Sequence, residues 1–335
     1  MLPRDYVLEQ IHHRETSPVP YCLGWEGDVG ERLDAYYGSP VWREKIRQYF
    51  AWSGIIDADR GEKIDDVRTR DAFGTIWRHD CRPFKQEEAG LQQPSFDGYH
   101  WPEAEYFINE QARPDAVKRL EEHKHLFRLA GIGWGLVERT WTIRGFENVL
   151  MDVVAEPDFY QELLDRILTM QLRFVEETLK LPIDAVTFSD DWGDQRGVTI
   201  GPERWRKYVK PRVARLYEAV HRAGKLAISH CCGNVADILP DIIEAGLDVL
   251  ESVQPEAMNP YELKRKWGDK ITFWGGMGVQ RLVPFGKPEE IKAEIRRLRR
   301  EMARGGGYIL ACAKPMQPET PTENAVAVVE AFTEE

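Results

Sequence analysis

The second half of the chain alternates short β-rich runs with amphipathic helical segments, and this rhythm restricts the fold more than any other feature. The runs are IDAVTFS (Ile183–Ser189), LAISH (Leu226–His230), DVLESV (Asp248–Val253), ITFWG (Ile271–Gly275) and YILA (Tyr308–Ala311). Each is mostly apolar and rich in β-branched or aromatic residues, as expected of strands buried on both faces of a parallel sheet. Helix signals fall between them. Asn259, Pro260 and Glu262 set a capping residue, a first-position proline and an acid ahead of Leu263, and Thr320, Pro321 and Glu323 repeat the arrangement before AVAVVEAF. From Pro288, the residues Ile291, Ile295, Leu298 and Met302 share one helical face, while Gly224, Gly246 and Gly305 stand where helices should stop.

Upstream, Asp158–Leu179 reads as a long helix with Phe159, Leu163, Ile167, Met170 and Phe174 on one side. GIGWGLV (Gly131–Val137) and VPYCLGW (Val19–Trp25) read as two further strands. At least seven strands, mostly followed by helices and divided by no Pro/Gly/Ser-rich linker, predict an α/β fold: a single (β/α)8 TIM barrel over residues 1–335. Residues 1–130 would form a divergent N-terminal part, with an insertion at about 57–114 near the top of the barrel, where DVRTRDAFGTIWRHD resembles a hairpin.

Charge narrows the partners. The chain carries 45 Lys+Arg against 56 Asp+Glu, a net charge of −11, which offers no general attraction for nucleic-acid backbones or anionic membranes. No run of about 18 apolar residues occurs, and MLPRDYVLEQ lacks the apolar stretch of a secretion signal, so a cytoplasmic protein acting on small molecules or on other proteins is expected.

Functional side chains of such a barrel project from the C-terminal ends of the strands. LAISH ends in His230-Cys231-Cys232-Gly233-Asn234, and YILA ends at Cys312. Five cysteines spread along the chain do not form a disulfide framework. His230, Cys232 and Cys312 instead suit zinc, whose catalytic sites take three protein ligands and keep one position open. The competing view makes Cys231, Cys232 and Cys312 small core residues and His230 a hydrogen-bonding side chain. Cys22 and Cys81 read as structural.

A second cluster, Ser189-Asp190-Asp191-Trp192-Gly193-Asp194-Gln195, follows another strand. There Asp191 suits a general acid or base, a cation binder or a further metal ligand, and the plain alternative is a helix-capping loop. Glu138 and Arg139 follow GIGWGLV, and Glu251 and Gln254 are placed to support a metal ligand. Trp25, Trp134, Trp141, Trp192 and Trp274 gather near strand ends, where some belong to the core and others would line a flat-walled pocket. Gly275-Gly276-Met277-Gly278 lacks the spacing of a dinucleotide loop.

HCCGNVADILPDIIEAGLDVLESVQPEAMNPYELKRKWGDKITFWGGMGVQ, GGGYILA and QPETPTENAVAVVEAF resemble the C-terminal half of the uroporphyrinogen decarboxylase superfamily. WTIRGFENVLMDVVAEPDF and SDDWGDQRGVTIGPERWRKYVKPRV are similar to its middle portion, so the resemblance spans roughly residues 130 to 335. True decarboxylases of that name carry an N-terminal Met-Arg-Gln-Ala-Gly-Arg run, which this chain lacks. The resemblance therefore implies the branch of cobamide-dependent methyltransferases and O-demethylase components, whose zinc is held by a His-x-Cys pair and a distant Cys.

His230 and Cys232 match that pair, including the following glycine, and Cys312 is the candidate third ligand. Cys312 is offset by two residues relative to the Pro-Glu-Thr-Pro run, so Asp191 or Glu251 is an alternative. The function implied is zinc-dependent methyl transfer between a small substrate, such as a methoxylated aromatic ether, and a corrinoid. Asp191 and Glu251 would act in catalysis, and Trp25, Glu138, Trp192 and Trp274 would contact substrate. The chain has no Asp-x-His-x-x-Gly element for cobalt, so a separate corrinoid carrier protein is expected, and the superfamily's tendency implies a homodimer. Alternatives are a metal-free decarboxylase or lyase using Asp191 and Arg139, and a noncatalytic ligand-binding homologue.

Overall fold

In the computed structural model, which describes residues 1–81 and 84–334, the apolar runs become strands of one parallel sheet. The strands in chain order are β1 (Tyr21–Cys22), β2 (Phe50–Trp52), β3 (Gly61–Lys63), β4 (Arg68–Asp71), β5 (Ile76–Arg78) and β6 (Lys85–Glu88). They continue with β7 (Phe127–Trp134), β8 (Ala185–Ser189), β9 (Leu226–His230), β10 (Val249–Val253), β11 (Thr272–Met277) and β12 (Tyr308–Cys312). Eight of them pair in the order β1-β12-β11-β10-β9-β8-β7-β2, which leaves a gap only between β1 and β2. Helices surround this nearly closed sheet, a (β/α)8 TIM barrel.

Burial on both faces explains the continuous apolar runs: every residue of β11 and β12 is buried. The long helix Pro157–Thr178 buries Phe159, Leu163, Ile167, Met170 and Phe174 against the sheet. Asn259 caps the helix Pro260–Trp267 by accepting the Tyr261 and Glu262 amides at 3.0 and 3.3 Å.

Three local expectations differ from the structure. The helix that carries AVAVVEAF starts at Thr322, so Thr320 is not its cap. Arg32 gathers the carbonyls of Pro318 and Thr320 at 2.9 and 2.8 Å and holds this stretch outside the helix. In GIGWGLV the strand ends at Trp134 and the helix Leu136–Arg144 follows. Asp190, from the neighbouring loop, starts that helix by accepting the amides of Val137 and Glu138, both at 2.9 Å. Finally, VPYCLGW is a strand over Tyr21–Cys22 alone, and the three-residue β2, not foreseen as a strand, pairs Phe50 with Phe127 of β7.

Between β2 and β7 the chain forms a separate antiparallel sheet, β3-β4-β5-β6. Its central hairpin falls in DVRTRDAFGTIWRHD and pairs Thr69 with Trp77. Asp71 accepts the Phe73 and Thr75 amides at 2.9 and 3.0 Å and so stabilises the turn. At the opposite end of the barrel, the helix Pro3–Ile11 is anchored by Arg4 on Asp184 and by Gln10, whose side-chain oxygen accepts the Tyr308 amide at 3.1 Å. Among the described residues, no helix is long and apolar enough to cross a membrane.

Candidate metal centre

The register of two neighbouring strands builds the site. In the β8–β9 pair, Ser189 stands opposite His230. Asp191 and Cys232, each two residues past its paired position, therefore arrive level with one another. The Cys232 amide donates to Asp191 Oδ1 at 2.9 Å, and Cys232 Sγ lies 3.1 and 3.2 Å from the two carboxylate oxygens. The loops close this tightly because Gly233 has φ +97°, and a Cβ there would meet the Gly193 carbonyl oxygen at 2.3 Å.

His230 completes the group. One donor atom each from Asp191, His230 and Cys232 lies within 4.8 Å of the others. His230 Nε2 is 3.8 Å from Asp191 Oδ1, while Nδ1 is 2.8 Å from Glu251 Oε2 on β10. Glu251 thus sets the ring's orientation and leaves Nε2 to face the other donors, as carboxylates do for metal-binding histidines. One imidazole, one thiol and one carboxylate form a donor set that fits zinc.

The electrostatics fit a cation as well. Burial pushes Glu138 up to about 8, helped by the charges of Asp191 and Asp190. Burial also pushes Asp190 up to about 7, against the Glu138 and Val137 amides and the Trp192 indole that donate to it. Burial of His230 opposes its protonation, but hydrogen bonding to Cys232 and Glu251 and the nearby anionic charge outweigh this and raise it to about 11. An excess of anionic groups around one imidazole is an arrangement that a bound divalent cation relieves.

Beside these donors, at the C-terminal end of the strands, lies a cavity of about 420 Å³. Gly131 and Gly133 keep one side free of side chains, His230 and Glu251 are among the polar groups, and Trp52, Trp274, Cys312 and Lys314 are among the other lining residues. Trp274 is stacked on Phe50 at 4.5 Å and meets Trp52 at 6.4 Å, giving the cavity a rigid aromatic wall.

The residues singled out in the sequence separate into two groups. His230, Cys232, Asp191, Glu251, Glu138 and Trp274 lie at or beside the site. Cys312 lines the cavity but stands outside the donor group: still paired with Met277 at the end of β12, its thiol is inside the barrel, where burial and the neighbouring Cys22 push it up to about 12. Trp192 is 1% exposed, meets Trp205 edge to face at 5.3 Å and donates to Asp190 at 2.6 Å, so it braces the loop and stands outside the lining of the cavity beside His230. Trp25 packs on Trp42 at 5.2 Å, outside the cavity. Arg139 faces a different cavity from the one lined by His230.

Trp52 and Lys314 were not foreseen. Trp52 belongs to a strand too short to show a pattern, and Lys314 lies past β12 with no neighbouring polar residue to draw attention to it.

A family model described as uroporphyrinogen decarboxylase (URO-D) matches residues 116–335. A uroporphyrinogen decarboxylase from Geobacter sulfurreducens is 26% identical over 187 residues, covering 56% of this chain and 52% of the relative, so the chain spans about half of that protein's length. One from Coxiella burnetii is 22% identical over 272 residues, covering 79% of this chain and 71% of the relative. Among solved structures, a methyltransferase from Methanosarcina mazei has the same fold, with a TM-score of 0.70, 19% identity, and coverage of 99% of this chain and 98% of that one. With two thirds of its length matched by the family model and the barrel that the match implies, the chain belongs to the uroporphyrinogen decarboxylase (URO-D) family.

Proposed function

We propose that the chain is a zinc-dependent methyltransferase that moves a methyl group between a small substrate and a corrinoid held on a separate carrier protein, as in the cobamide-dependent branch of the superfamily. The observation that carries this reading is the convergence of Asp191, His230 and Cys232 beside an open cavity, with Glu251 orienting His230. Those three side chains would hold the metal and leave a coordination position for substrate. Bound there, zinc supplies a Lewis acid that polarises a methyl-ether oxygen or holds an acceptor thiol as thiolate.

The protein's own groups do the rest. Glu251 keeps the proton on His230 Nδ1. Glu138, pushed up to about 8 by burial, accepts from Ser189 Oγ on the cavity wall at 3.5 Å and is placed to hold a proton near a departing oxygen. Trp52 and Trp274 favour a substrate with a flat apolar part, such as an aromatic methyl ether. The carrier protein docks over the mouth of the barrel, and a cytoplasmic setting, in which thiols stay reduced, suits Cys232 as a ligand.

The names of the relatives favour a decarboxylase instead. A porphyrinogen bearing several carboxylates requires a strongly cationic pocket, whereas among the described residues Lys314 and His230 are the basic side chains lining this one. That contrast, with the missing arginine-rich run, supports methyl transfer.

The test is demethylation of a panel of methyl ethers by the purified chain with cob(I)alamin. Activity is expected with at least one donor and is lost in His230→Ala. Undiminished turnover in that variant would contradict the metal-based reading.

A further inference from the structure

A second cavity, of about 490 Å³, opens between the inserted sheet and the barrel rim and shares no lining residue with the one beside His230. One wall is a pair of indoles, Trp77 on β5 and Trp134 at the end of β7, with ring centroids 6.3 Å apart and planes inclined by 21°. Both rings are fixed at their edges. Trp77 Nε1 donates to Asp71 Oδ2 at 3.0 Å, and Trp134 Nε1 donates to Asp59. The other oxygen of Asp71 is engaged by the Phe73 and Thr75 amides. Asp71 is thus committed to holding the wall through both oxygens and Asp59 through one, and the two half-buried indoles line the cavity.

Thr69 and His79, hydrogen-bonded to each other at 2.8 Å, also line the cavity, as does Arg139, which is 7% exposed. Its guanidinium lies over Trp134 and Phe73, 5.4 and 5.0 Å from the ring centroids. It donates to the Ala58 carbonyl at 3.1 Å and at 3.4 Å to Thr142 Oγ1. A guanidinium has five N–H donors, and among the described residues no carboxylate oxygen comes within 4.0 Å of this one. Burial lowers Arg139 to about 10, against the attraction of Asp71 and Asp59, so it is charged at neutral pH. A buried guanidinium with spare N–H donors and no carboxylate in contact, beside a fixed pair of indoles, has room for a further acceptor.

We propose that this cavity binds a planar aromatic carboxylate, with its ring on the Trp77–Trp134 wall and its carboxylate on Arg139. The anion supplies a charged acceptor beyond the Ala58 carbonyl and Thr142 hydroxyl, and a planar fork matches a carboxylate bidentately. A cationic aromatic ligand would meet the Arg139 charge. The inserted sheet then has a role of its own, since β5 brings Trp77 and β4 brings Asp71. The inference is independent of the metal reading.

The experiment is calorimetric titration of the full chain with 2-naphthoate at neutral pH. Binding is expected to weaken at least about tenfold in Arg139→Met and roughly three- to tenfold in Trp77→Leu. It is expected to be unchanged in His230→Ala, which separates this site from the metal centre. 2-Naphthylmethylammonium is expected to bind at least about tenfold more weakly than 2-naphthoate. Equal affinity in the wild type and Trp77→Leu, tighter binding of the ammonium probe, loss of binding in His230→Ala, or no binding of 2-naphthoate would each overturn the proposal. Should Arg139→Met not fold, Trp77→Leu and the ammonium probe decide the matter alone.

Discussion

The two ends of β8 carry aspartates in opposite circumstances. At the N-terminal end, Asp184 is enclosed by arginines: Arg4 donates to both of its oxygens at 3.1 and 3.0 Å, and Arg128 adds its amide at 2.9 Å and its guanidinium at 3.3 and 3.2 Å. Burial pushes Asp184 up, but these bonds and charges outweigh it and hold the carboxyl below its ordinary range. At the C-terminal end, burial pushes Asp190 up to about 7 and Glu138 to about 8, and the charge of Asp191 adds to both shifts. One end satisfies its charges within the protein. The other leaves anionic demand for something from outside, as expected where stability and chemistry are assigned to opposite faces of a barrel.

The largest effect on stability should come from the satisfied end. Asp184→Asn strands two arginines and should lower stability by about 3 kcal/mol at neutral pH, read as a fall of several degrees in Tm. Because the folded carboxyl titrates below its unfolded value of about 4, the stabilisation is complete above that pH and is lost as pH falls through the folded value. Wild-type and variant melting temperatures should therefore converge in acid. Equal Tm values at pH 7 would remove the contrast.

Glu251→Gln probes the other end. It keeps the size of the side chain and removes the charge on His230 Nδ1, so zinc affinity should fall about 10- to 100-fold in a chelator competition, with little change in Tm. An unchanged affinity would mean that Glu251 does not orient the ligand. The smallest expected effect is a gain. In metal-free protein, Glu138 titrates above its unfolded value of about 4.3, so wild-type stability should decline as pH rises from there toward 8. Glu138→Gln removes that decline, and its advantage should grow across the window to about 1 kcal/mol after allowance for solvent screening. Parallel Tm profiles would show that Glu138 is not held protonated.

The same contrast shows how much the sequence could reveal. Strands β8 to β12 were legible because burial on both faces demands uninterrupted apolar runs. β2, at three residues, was too short to display any period. The His230-x-Cys232 pair was legible from its spacing at a strand end. Asp191 lies about forty positions earlier, and only the Ser189–His230 register makes it the neighbour of Cys232. Register is set by pairing across the sheet, which a one-dimensional pattern does not contain. Cys312 had the expected residue type at a strand end, but its last backbone pairing keeps it inside the barrel. Tryptophans at strand ends proved equally ambiguous, with Trp274 on the cavity wall and Trp192 in the core.

The central claim is that Asp191, His230 and Cys232 form the metal-binding group and that Cys312 does not belong to it. Zinc content and affinity after reconstitution test this most directly, in the wild type and in the Asp191→Asn, Cys232→Ser and Cys312→Ser variants. The prediction is about one zinc per chain in the wild type and in Cys312→Ser, and its loss in Asp191→Asn and Cys232→Ser. Retention of zinc by Asp191→Asn together with its loss from Cys312→Ser would contradict the account.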